Sequence, residues 1–253
     1  AFAALAGEIL LRVVHINLIC AVMSQKSTPL SACGNLVHKH DSDRFFCALL
    51  AGTQERERLF TLLAFNHEIA KIRSIVSEPI MGQMRLQWWR EAIEAAQQGK
   101  PPLAHEVAQP LMQLVVQEPA LATQLFALLE ARERDLDDAP FASLDEVEEY
   151  ACATTAPLLA ALGGEGADTA TGYALVGLLR AREVEGVELV KAVASRAQAL
   201  LQARARGQGR YWQALAKAYL RQLVRAHYDL STPYLAQSHP LRGLILLWAR
   251  ITG

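Results

Sequence analysis

The chain has 253 residues, 52% hydrophobic and 20% charged, which is enough apolar surface for a packed core and too much for a disordered chain. Ala (42) and Leu (39) fill 81 positions, an excess of good helix formers that argues for an all-α protein. A net charge of −1 gives no general reason to expect nucleic acid, and no run of 18 residues is free of charged side chains, which excludes a standard transmembrane helix.

Residues 1–22 read as an apolar helix interrupted by Glu8, Arg12 and His15. A signal peptide wants a charged start and then an uninterrupted apolar run, whereas here the charges fall inside it. Leu30-Ser31-Ala32-Cys33 resembles a lipoprotein cleavage box, but the polar stretch Ser24 to Pro29 separates it from the apolar run. Two readings stay open: Met23 is the true start, or the segment is an amphipathic helix lying on a membrane surface. Residues 1–40 are expected to be a poorly packed extension to a single helical domain over 41–253.

Helix punctuation is frequent from there on. A short helix over 42–51 follows Asp41. The spacing of Leu59, Leu62, Leu63, Ile69 and Ile72 predicts a helix over about 54–76. Glu78-Pro79 opens another, since proline suits the first helical turn, and Gly99 to Pro102 ends it near 98. Helices follow at about 103–117 and, from Glu118-Pro119, to about 136. Ser143-Leu144-Asp145-Glu146 is a capping box for a helix that Gly163-Gly164 stops. Residues 167–206 are helical in pattern, with a break expected at Gly172, Gly177 or Gly186. A helix at about 209–229 follows, and His239-Pro240 begins the last. Eight to ten helices in one bundle are expected, with no sheet.

Cys20, Cys33, Cys47 and Cys152 form no C-x-x-C pair and read as scattered thiols. Residues 130–149 carry nine acids against two bases, and residues 180–228 carry ten bases against three acids. These are either solvated faces that neutralise each other or, for the basic segment, a face for anionic lipid, diphosphate or an acidic partner. Glu133, Asp135, Asp137 and Asp138 look like a metal cluster, but acids are also common before a capped helix. His67 and Glu68 are adjacent, so on a helix they point about 100° apart and cannot easily share a metal. Trp88 and Trp89 beside Arg85 suit either an aromatic core seam or the wall of an apolar cavity with a cationic rim.

Several segments together resemble the squalene/phytoene synthase superfamily. They are Asp43-Arg44, Arg58 to Asn66, Arg85-Leu86-Gln87-Trp88-Trp89-Arg90-Glu91, Arg132 to Asp138, Leu144 to Tyr150 and Gly172 to Arg180. Ala64-Phe65-Asn66-x-Glu68-x-Ala70 is most similar to the branch of the mitochondrial complex I assembly factor and its bacterial relatives. The resemblance implies an isoprenoid-synthase-type helical bundle. Family enzymes use two Asp-rich motifs that hold magnesium against a substrate diphosphate, because a departing diphosphate develops charge that cations must neutralise. Aligned on Ala64-Phe65, the first motif falls on Ala70-Lys71-Ile72-Arg73-Ser74, which has no carboxylate. The second falls on Ala181-Arg182-Glu183-Val184-Glu185, where Ala181 replaces one acid.

The resemblance therefore implies a non-catalytic body with no cofactor, active in the cytoplasm or at the face of the inner membrane (the matrix side in a eukaryote). Its implied partners are a prenyl or lipid ligand, a respiratory complex subunit and the membrane surface. The alternative is an active prenyl transferase with an atypical magnesium site. The helices at 54–76 and 79–98 are expected to face each other across a mostly apolar cavity, with Phe65, Lys71, Arg73, Arg85, Trp88, Trp89 and Arg180 as its candidate residues.

Overall fold

A computed structural model describes residues 29–137 and 139–252. The chain divides after Ser31, and the unit from Ala32 onward is a single body of helices. In chain order these are α1 (Ala32–His40), α2 (Ser42–Ala48), α3 (Thr53–Ala70), α4 (Ile72–Ile75), α5 (Pro79–Gln97), α6 (Ala108–Gln117), α7 (Leu121–Ala131), a 3-10 turn (Arg132–Leu136), α8 (Leu144–Ala161), α9 (Ala167–Ala181), α10 (Val187–Leu200), α11 (Gln208–Arg225), α12 (Pro233–Ala236) and α13 (Arg242–Thr252). Among the described residues there is no strand, only one isolated antiparallel bridge between Glu165 and Arg206. No helix there is long and apolar enough to cross a membrane.

The capping residues do what their chemistry predicts. Asp41 accepts from the Arg44 backbone N–H at 3.2 Å and opens α2. Ser143 accepts from the Glu146 N–H at 3.2 Å, while the Glu146 carboxylate reaches back to the Ala142 N–H at 3.0 Å. Pro79 stands in the first turn of α5.

Some boundaries differ from expectation. The predicted helix over 54–76 is two helices, broken at Lys71. The segment 167–206 breaks at 182–186, which includes Gly186, one of the three expected positions: Arg182 turns left-handed at φ 61° and ends α9, and Gly186 stands immediately before α10. Gly172 and Gly177 stay inside α9. At Gly172 a Cβ would stand 2.9 Å from Leu201 Cγ and 3.3 Å from the Ala197 carbonyl, so the glycine lets α9 and α10 pack closely instead of breaking the helix. The described residues hold thirteen α-helices, more than the eight to ten expected, because α1 and the single-turn helices α4 and α12 went unread.

Of the extension expected over residues 1–40, residues 1–28 lie outside the described residues. Residues 32–40 are not loose: α1 packs on α3 and buries Cys33, Gly34 and Val37. Cys33 and Val37 are four apart, on one helix face. The packed body thus begins at residue 32, not 41.

At the centre of that body, α9 packs against α8, α10 and α11. Its faces are small (Ala170, Thr171, Gly172) or aliphatic (Leu175, Val176, Leu179), and all six of these residues are buried. The opposite-charge segments partly meet: Arg196 on α10 grips Glu148 on α8 with bonds of 2.6 and 2.7 Å.

Candidate functional site

One cavity of about 440 Å³ opens beside the central helix. Asn66 and Ala70 of α3, Arg73 of α4, the 3-10 turn, Tyr150, Thr154 and Thr155 of α8, and Tyr173, Gly177 and Ala181 of α9 are among the residues that surround it. Its volume lies in the range of ordinary ligand pockets. The lining is polar and cationic: Arg44, Arg73, Arg132, Arg134 and Arg182 face three carboxylates, Asp135, Glu183 and Glu185.

Several of these groups hold one another. Arg132 Nη1 donates to Asp135 at 3.1 Å and to the Tyr150 hydroxyl at 2.9 Å, and that hydroxyl donates to Asp135. Arg44 pairs with Asp41. Burial is the main influence raising the Tyr150 and Tyr173 phenols above their usual range, so both stay neutral and can donate hydrogen bonds but not act as bases. Two buried polar atoms on the lining, Asn66 Oδ1 and Arg132 Nε, have no hydrogen-bond partner. Such atoms are costly unless a ligand or water satisfies them.

The mouth of the cavity joins two separate segments. Ala70 and Arg73 come from one side, and Ala181, Arg182, Glu183 and Glu185 from the other. Arg73 Nη1 lies 3.7 Å from Glu183 Oε2 across the opening. These are the two stretches that the sequence resemblance aligned with the Asp-rich magnesium motifs.

The rim does not fit a pair of magnesium ions. Magnesium demands oxygen ligands in near-octahedral geometry, and methyl groups and guanidinium groups stand at four of these positions. Among the described residues no group of three His, Cys, Asp or Glu side chains is arranged to hold a metal. The acidic run before α8 is committed elsewhere. Glu133 pairs with Arg90 at 2.7 Å, Asp135 with Arg132 and Tyr150, and Asp137 Oδ1 accepts from the Ala139 N–H at 3.0 Å. Asp138 lies outside the described residues.

The residues singled out from the sequence are mostly placed elsewhere. Arg73 is on the rim. Phe65 is fully buried and packs edge-on against Trp89 with ring centroids 5.2 Å apart. Trp89 is 4% exposed and Trp88 37%, and both lie against His105. Arg85 is exposed on α5, and Lys71 pairs with Glu68 at the helix break.

Arg180 points away from the cavity. It donates to Asp43 at 3.3 Å and to the Leu235 carbonyl at 2.9 Å, with its guanidinium 3.5 Å above the Tyr219 ring. Nor do α3 and α5 enclose the void. Helix α6 packs on both, no residue of α5 lines the cavity, and its wall is polar rather than apolar. The phenols, Thr154, Thr155 and the arginines of the 3-10 turn were missed as lining, although Arg132 to Asp138 and Leu144 to Tyr150 already carried the resemblance.

Residues 37–164 match the family model of squalene/phytoene synthases. The chain belongs to the squalene/phytoene synthase family. Complex I assembly factor 6 of Homo sapiens and of Bos taurus is 34% identical over 128 residues, covering 50% of this chain and 38% of each relative. A homologue from Drosophila melanogaster is 31% identical over 132 residues, 50% of this chain and 39% of its own length. The match thus spans less than two fifths of these curated relatives. A crystal structure of a dehydrosqualene synthase in complex with ligand superposes with a TM-score of 0.66 at 14% identity, covering 87% of this chain and 94% of that one. At that identity the likeness establishes the isoprenoid-synthase-type fold.

Proposed function

We propose that this chain is a non-catalytic member of its family that serves the assembly of respiratory complex I, as the name of its curated relatives suggests. The observation that carries the reading is the cavity mouth, where Arg73 faces Glu183 at 3.7 Å and Ala70 and Ala181 stand where the family chemistry needs acids. Ionising an allylic diphosphate takes several kcal/mol of charge stabilisation, which bridging magnesium ions supply in the family enzymes. A guanidinium attracts the same anion but cannot recruit the metal or reproduce its bridging geometry.

The cationic lining is therefore proposed to hold a prenyl diphosphate or a lipid phosphate weakly and without magnesium. The body would act at the inner-membrane face, on the matrix side in a eukaryote, against a subunit of the complex.

The test incubates the purified protein with farnesyl or geranylgeranyl diphosphate, magnesium and reductant, and analyses products by mass. No condensed C30 or C40 product is expected, and one above the no-protein control overturns the pseudoenzyme reading. Deletion of the gene is expected to lower NADH:quinone oxidoreductase activity. Normal activity removes the assembly role.

A further inference from the structure

Helix α13 has apolar side chains nearly all round but buries only Leu246. Leu241, Trp248 and Ile251 remain 55%, 69% and 69% exposed. Isolated apolar residues on a surface are ordinary, but a contiguous apolar wall beside a cavity is not. Between α13 and α11 runs a groove of about 740 Å³, well apart from the cavity at α9, with no lining residue in common.

Its two walls differ in chemistry. Leu241, Leu244, Ile245 and Trp248 form one; Arg204, Arg206, Arg210, Lys217 and Arg221 form the other, and no carboxylate lines either. Arg206 pairs with Glu165 at 3.2 Å, but both are more than half exposed, so the pair is worth little. Burial first, and then the neighbouring Arg221, push the Lys217 ammonium below its usual range. Positions 210, 214, 217 and 221 on α11, and 245, 248 and 252 on α13 with 241 just before its first residue, repeat at helical spacing. Each wall thus runs about 16 Å, three helical turns.

We propose that this groove docks an amphipathic helix of a partner protein, with its apolar stripe against α13 and a stripe of Asp and Glu against α11. The shape selects a helix over a bilayer: the apolar and cationic groups face each other across a concavity, whereas a bilayer needs apolar groups projecting outward with cations behind them. The charge selects an acidic partner. The chain's own first 28 residues do not supply one, because they hold a single acid, Glu8, against Arg12 and Lys26. The inference is independent of the cavity reading and stands or falls separately.

The test titrates the whole chain into a fluorescein-labelled peptide of about 18 residues, with Leu at i, i+3, i+4 and i+7 and Glu flanking that stripe. The same peptide with Lys for Glu is the control. Saturable anisotropy with the Glu peptide is expected, with at least about tenfold weaker binding of the Lys peptide and loss of affinity with salt. Trp248→Ala is expected to weaken the Glu peptide about tenfold.

The combined Arg210→Glu, Lys217→Glu and Arg221→Glu variant is expected to invert the preference while its circular dichroism stays helical. If that variant does not fold, the exposed Arg221→Glu alone should narrow the preference. Equal binding of both peptides, no saturation with the Glu peptide, or a preference unmoved by charge reversal overturns the proposal. So does sedimentation with phosphatidylglycerol vesicles that requires these cations without Glu-peptide binding, which assigns the groove to lipid.

Discussion

Substituting Asp43 is expected to be the most damaging single change to a charged residue in this protein. The carboxylate is 6% exposed and accepts from Tyr219 Oη at 2.6 Å, Arg242 Nη1 at 3.0 Å and Arg180 Nη1 at 3.3 Å. Four helices, α2, α9, α11 and α13, meet on this one side chain. Asp43→Ala leaves two guanidinium groups close together without their counter-ion. Removing one partner of a fully buried pair costs about 3–5 kcal/mol. Arg180 and Arg242 keep 22% and 18% of their side chains in water, which screens part of that cost. We therefore expect about 2–4 kcal/mol.

For a domain of this size that is a fall in Tm of about 5–15 °C. Asp43→Asn keeps the shape and one acceptor and should lose less. Removing Arg242 as well should cost less than the sum of the two single changes, by about 1 kcal/mol or more, because the charge stranded by the first change is then gone. The assay is urea unfolding followed by circular dichroism, with m compared between variants. A loss under about 1 kcal/mol for Asp43→Ala at unchanged m, or strict additivity with Arg242→Ala, would refute the reasoning.

Trp89→Ala, at a 4% exposed site packed edge-to-face with Phe65 and Trp88, should cost about 3–5 kcal/mol, whereas Trp88→Ala, at a 37% exposed site, should cost about 1 kcal/mol; similar melting temperatures for the two would contradict this placement. Gly209→Ala brings a Cβ to 2.8 Å from the Glu165 carbonyl, which the bridge to Arg206 holds in place, and should destabilise by about 1–3 kcal/mol, while Gly177→Ala, inside α9 with nothing within 4 Å, should stabilise by about 0.5–1 kcal/mol; thermal unfolding of both reads the contrast. Burial and then the stacked His40 hold the His67 imidazole below its ordinary value of 6.5. The unfolded chain therefore binds that proton first, so stability falls as pH drops from 6.5 towards the lower native value, and His67→Gln should flatten this part of the urea-midpoint profile from pH 7.5 to 5.

What the sequence reveals here is local. Asp41, Ser143 and Pro79 announce helix starts through chemistry that acts within four residues, and the structure uses all three. The break at Lys71 carries no glycine or proline, so no breaker marks it. The family resemblance was legible because motif residues lie within short segments, but the pocket was not. Its wall joins Arg44, Asn66, Arg132, Tyr150 and Tyr173, which lie far apart along the chain. A tryptophan pair on α5 signals burial, and burial against α3 and a void beside α3 look the same from periodicity. Arg180 shows the limit most directly. On its own helix it is one more basic residue, and its role as a strut depends on Asp43, 137 positions away.

The contacts around α2 also impose an order on synthesis. Ser42 lies 3.0 Å from Ser238 Oγ and accepts from Arg242 at 2.9 Å, and the Arg242 guanidinium sits 4.2 Å above the Phe46 ring. Every one of these partners leaves the ribosome about 200 residues after α2 does, roughly ten seconds or more at ordinary elongation rates. Through that interval a nascent chain carries Asp43 without Arg242, for the first 137 positions without Arg180 as well, and with Phe46 uncovered. Helix α2 can form early on its own cap, but it cannot seal. Helix α13 is thus a closing clasp for the first part of the body, and any pause or premature stop between residues 180 and 242 leaves an acid short of one of its two arginines and an open aromatic for chaperones or proteases to find.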